Sequence, residues 1–70
     1  MYKILFDNDT QQNGIWTWHY GNVEIDSMEY PFSICEMYDN TSGTSTFELT
    51  WVGLIPRYSD EIEADILSKF

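Results

Sequence analysis

Very little in this chain could staple it, give it positive charge or catalyse a reaction. Its one cysteine, Cys35, cannot close an internal disulfide. Three basic residues, Lys3, Arg57 and Lys69, face twelve acidic ones, a formal net charge of −9. Nucleic acid and membrane surfaces are anionic and repel such a chain, so neither is expected as a direct ligand. No apolar run approaches the ~20 residues of a membrane helix. One histidine, one cysteine and scattered carboxylates make no metal-ligand set. The Asp7-x-Asp9 start of a calcium loop fails at its sixth position, Gln12 instead of Gly, and its twelfth, Trp18 instead of Glu. No helix N-terminus or basic neighbour is evident to activate Cys35, which reads as a small apolar side chain. No cofactor, metal or catalytic residue is therefore expected. The lone cysteine and the absence of a hydrophobic leader after Met1 point to a cytoplasmic protein.

Seventy residues make a single domain, 1–70. Such small cores often need a staple, and here large rings must compensate. Aromatics are 17% of the chain, and each buried ring removes about 150–250 Å² from water. A homodimer is the other available compensation.

The pattern of the chain predicts an α+β fold: a small antiparallel β-sheet of four to five strands with one C-terminal helix packed on one face. Ile15 to Asp26 (IWTWHYGNVEID) reads as a β-hairpin turning at Gly21-Asn22, with Gly in the first central position of a II′ turn. Trp16, Trp18, Tyr20, Val23 and Ile25 then share an apolar face, and His19 lies opposite Glu24. Tyr2 to Phe6 is a first strand, pairing Ile4 with Trp18, and Asp7 to Gly14 is a polar loop. Residues 31–39 read as strand or, with Pro31 at its first position, as helix. The strand is favoured, because a turn at 40–43 sets Ile34 against Leu49 and Phe32 against Trp51. Thr44 to Val52 is a strand with Phe47, Leu49 and Trp51 on one face. Ser59 or Asp60 caps a helix whose stripe is Ile62, Ile66, Leu67 and Phe70, with Asp60 and Glu63 at capping-box spacing. The helix is expected to dock on the Trp-lined face, with the Trp side chains mainly buried.

The functional expectation rests on charge. Glu24 and Asp26 stand two apart on the predicted outer face, about 6.5–7 Å along the strand. Glu61 and Asp65 stand one helical turn apart, about 5–6 Å. These separations resemble the spacing of charges along a nucleic-acid strand. Glu24, Asp26, Glu61 and Asp65 are the candidate partner-binding residues, and the expected partner is a basic nucleic-acid-binding protein. In size, charge and lack of motif the chain resembles the small acidic inhibitors, of DNA-mimic, antirestriction or anti-CRISPR type, that phages and mobile elements direct at host nucleic-acid enzymes. That resemblance is one of class and carries no residues over. It implies action in the host cytoplasm. The alternative is a small ligand-binding module, for example sugar-binding, that uses exposed Trp.

Overall fold

A computed structural model describes residues 1–70. Four strands, β1 (Tyr2–Asn13), β2 (Trp16–Ile25), β3 (Met28–Asp39) and β4 (Thr44–Trp51), precede one helix, α1 (Ser59–Leu67). Each strand pairs antiparallel with its sequence neighbour, giving the order β1-β2-β3-β4. The fold is α+β, as the sequence predicts. β3 is a strand throughout, and it pairs Ile34 with Leu49 and Phe32 with Trp51, the expected register. Val52 N–H donates to the Pro31 carbonyl (2.9 Å). Proline has no N–H to return that bond, so the β3–β4 ladder ends there.

The central hairpin is not where the sequence places it. β2 runs straight through Gly21-Asn22. Gly21 is needed for packing: an added Cβ would collide with the Leu5 carbonyl and lie 2.6 Å from the Phe32 ring. The turns fall on either side. Gly14 (φ 64°) begins one, in the position a II′ turn reserves for glycine. Asp26 (φ 49°) and Ser27 (φ 67°) form the other, with the two positive φ values of a I′ turn. The predicted loop at Asp7–Gly14 is mostly strand as well. β1 continues to Asn13, with an irregularity that shifts the register between Phe6 and Thr10.

A continuous β2 changes which residues share a face. Ile4 pairs with Val23, not with Trp18, and His19 pairs with Ile34, not with Glu24. Alternation then places His19, Gly21, Val23 and Ile25 on one side and Trp16, Trp18 and Tyr20 on the other. The helix covers the first side. The core is Val23, Phe32, Ile34, Ile62 and Ile66, with Tyr2, Ile4, Phe47, Leu49 and Trp51 packed against it. Of the three tryptophans, only Trp51 faces the helix. None is buried, and Trp16 is 41% exposed.

α1 is tied to both edge strands. Tyr2 on β1 donates its hydroxyl to Asp65 (2.8 Å), and the Trp51 ring N–H on β4 donates to Glu63 (3.0 Å). The N-cap is Tyr58, in a left-handed conformation with no side-chain cap, so neither Ser59 nor Asp60 caps the helix. Glu63 is drawn to Trp51 instead of closing a capping box. A nine-residue helix is about 13 Å long, whereas the molecule measures 42 Å along its longest axis. The helix therefore covers one half of the sheet. No residue of the distal half, including 7–20 and 35–50, is buried.

Candidate functional site

The four carboxylates singled out in the sequence do not form one row. Glu24 is exposed on the uncovered face, between Lys3 on β1 and Glu29 on β3. Asp26 sits in the β2–β3 turn, and Glu61 lies in the first turn of α1. The fold brings these last two together. Both line a cavity of about 390 Å³ at the helix-covered end, with Tyr2, Ile25, Met28, Tyr30, Arg57, Tyr58 and Ile62 among its walls. Asp65 is one turn further along α1. It accepts the Tyr2 hydrogen bond, and Lys69 approaches it at 3.9 Å. That hydrogen bond holds the Tyr2 hydroxyl above its ordinary pKa, because the neutral phenol is the donor; burial and the Asp65 and Glu61 charges act in the same direction.

The cavity also gathers residues that the sequence did not single out. Tyr30, Tyr58, Met28 and Arg57 come from β3 and from the connector before α1. Two of the three non-glycine residues with positive φ, Asp26 and Tyr58, lie in its wall. Asp26 owes its positive φ to the β2–β3 turn, and Tyr58 to its place as the left-handed N-cap of α1. No periodicity or turn signal in the sequence marks these positions.

The second feature is the uncovered face. Trp16 and Trp18 stack at 6.2 Å between ring centroids, 23° from parallel. Their cross-strand partners on β3 are Met37 and Cys35, which share that face. Pro31 and Ser33 continue it. Among the charged groups there, Glu24, Glu29 and Glu48 outnumber Lys3. A third cluster lies on the helix side, where His19 Nε2 and Glu36 Oε1 pair at 2.9 Å and Ser45 donates to the other Glu36 oxygen at 2.9 Å. Phe70 packs on the His19 ring at 4.9 Å. The His19 hydrogen bond, above all, lowers the Glu36 pKa; the Ser45 bond adds to it, while partial burial opposes both. The backbone N–H of Thr41 likewise lowers the pKa of Asp39 in the β3–β4 turn.

No group of three or more histidine, cysteine or acidic side chains is placed to hold a metal ion. No helix is long and apolar enough to cross a membrane. Fold and surface together define a small four-stranded antiparallel sheet with one helix, an acid-and-tyrosine cavity at one end and a bare aromatic face. No protein-family model, curated protein or solved structure matches the chain.

Proposed function

We propose that this is a small acidic binding protein that docks its helix-covered end onto a basic, nucleic-acid-binding protein. It would act as an inhibitor of the kind phages and mobile elements direct at restriction, CRISPR or related host enzymes, in the host cytoplasm. The observation that carries the reading is a −9 chain in which Asp26 and Glu61, neither of them ion-paired, meet at one end beside Asp60. A groove evolved for phosphates attracts such a surface from a distance, and salt screens that attraction. Asp26 and Glu61 are the centre of this patch. Asp65 flanks it, while Glu24 lies on the other face and adds only to the general field. The partner's nucleic acid should compete for the same surface.

The test is to capture the partner from host lysate and measure association rates from about 50 to 500 mM salt, over which the Debye length falls to a few Å. Joint replacement of Glu24, Asp26, Glu61 and Asp65 by Asn or Gln should slow association sharply and flatten the salt dependence. Glu24→Gln alone should change little, as rim charges do. Salt-independent binding would overturn the reading.

One observation favours a second reading, a sugar-binding module: Trp16 is exposed and stacked on Trp18 on an uncovered face. Trp16→Ala would abolish saccharide binding under that reading and leave the acidic docking intact under the first.

A further inference from the structure

The distal half of the sheet is a single layer. Domains are built from packed layers, because a sheet with an apolar face must bury it against another element. Here α1 supplies the second layer at one end only. The whole chain shows the shortfall. Its accessible surface is 5151 Å², whereas a compact monomer of this length exposes about 4,600 Å². Its radius of gyration is 12.8 Å, against about 11 Å for a compact chain of 70 residues. The buried core is five side chains, and no disulfide adds to it.

The uncovered face of that half has the composition of an interface. Cross-strand register lines up Gln11, Trp18, Cys35 and Glu48 in one row, and Asn13, Trp16, Met37 and Thr46 in the next. Apolar side chains stand on the two central strands, with polar ones on both edges. Aromatic rings and methionine at the centre, with charge kept to the rim, are the pattern of protein–protein interfaces. Of the twelve acidic residues, only Glu48 falls in these rows, so the patch offers little to a basic partner. Because it straddles the midline of the sheet, the same patch can serve both subunits of a two-fold pair. The ten residues of β2 extend about 34 Å and four strands are about 19 Å wide, so the face offers about 650 Å². Two such faces bury about 1,300 Å², within the range of stable, specific interfaces.

We propose that the uncovered face is a homodimer interface, in which a second copy of this chain lays Trp16, Trp18, Cys35 and Met37 against the same patch of the first. The two sheets then pack about 10 Å apart, as in a β-sandwich. Each copy carries a net charge of −9, so repulsion limits the affinity and added salt tightens the pair by screening it. The face is bare in dilute protein and covered in concentrated protein. The helix-covered end stays free, so the inference is independent of the proposed basic partner, whose binding salt weakens.

The test is sedimentation equilibrium of the full chain from about 1 μM to 1 mM, at about 50 and 500 mM salt. A monomer–dimer equilibrium that tightens at least threefold at the higher salt is expected. Trp18→Lys places a charge at the centre of the patch; it should keep the wild-type circular dichroism and weaken the dimer at least thirtyfold. A monomer throughout overturns the proposal, and one that binds saccharide through Trp16 assigns the face to the sugar-binding reading. A dimer that salt weakens, or that Trp18→Lys leaves intact, overturns it as well. If Trp18→Lys does not fold, alkylation of wild-type Cys35 by iodoacetamide decides. Its rate should fall at least threefold as the dimer fraction rises, and a constant rate across dimerisation overturns the assignment of this face. If the dimer forms and no basic partner exists, the proposed function fails alone.

Discussion

Trp51 and Trp18 are the same side chain on opposite faces of one sheet, and their surroundings differ completely. Trp51 donates its ring N–H to Glu63 of α1 and meets the edge of Phe32 at 6.1 Å. Trp18 has no helix over it and lies against Trp16. Both are large, apolar and preceded by threonine in the chain. What separates them is strand parity, set by whether β2 turns or continues at Gly21. One unresolved turn in the sequence thus decides which tryptophan joins the core. A one-residue change of phase carries a whole strand from one face to the other.

The largest effect that would break this comparison belongs to Ile66, fully buried on the side of α1 that packs on the sheet. Ile66→Asp places an unpaired charge there, a cost of several kcal/mol that a domain of this size does not survive. A cooperative melt at the wild-type temperature, followed by circular dichroism, would show that the helix does not cover this face. Next is the contrast between faces. Phe32, 1% exposed, should cost about 3–5 kcal/mol on truncation to Ala. Trp18→Ala, on the uncovered face, should cost under about 2 kcal/mol, because only partly buried area is lost. Urea denaturation of the two variants measures the gap, and equal losses would mean the open face is covered.

Gly21→Ala tests the phase itself. If β2 continues, the new methyl group strikes the Leu5 carbonyl and the Phe32 ring, and the variant loses about 1–3 kcal/mol by overpacking. A hairpin turning there would expose the methyl group and lose only the cost of a turn residue. The smallest effect is in pH. Glu36 has a lowered pKa in the folded state, so its contribution is complete above its ordinary value of 4.5 and is lost as pH falls through the folded value. Tyr2 has a raised pKa, so its contribution is complete below 10.0 and is lost as pH rises through the folded value above that. Glu36→Gln should flatten the acid limb of the stability profile, and Tyr2→Phe the alkaline limb.

The sequence made legible those elements whose pattern answers to one cause. In β4, TFELTW alternates because one face is wet and the other is not. In α1, Ile62 and Ile66 recur at helical spacing because one stripe is buried. Gly21-Asn22 was not legible, since a glycine that makes room for a ring reads the same as one that makes a turn. Asp26-Ser27, the actual turn, carries no glycine. Residues 7–13 lie in an edge strand with no buried side chain, so nothing there imposes alternation. At the candidate site, the helical spacing of Glu61 and Asp65 was readable. The meeting of Glu61 with Asp26 joins positions half the chain apart, the hydrogen bond from Tyr2 to Asp65 spans nearly all of it, and neither leaves a local trace.

The neighbour-to-neighbour strand order has a consequence for how the chain folds. Each strand is reached through a short link, Gly14–Ile15, Asp26–Ser27 or residues 40–43, so every pairing closes a small loop and loses little chain entropy. The sheet can zip hairpin by hairpin, a low-contact-order route that favours speed. The helix is different: the Tyr2–Asp65 bond joins residues 63 apart. Docking of α1 is then the late step. Ile66→Val is expected to speed unfolding while leaving the refolding rate nearly unchanged in stopped-flow experiments, the signature of a contact made after the transition state.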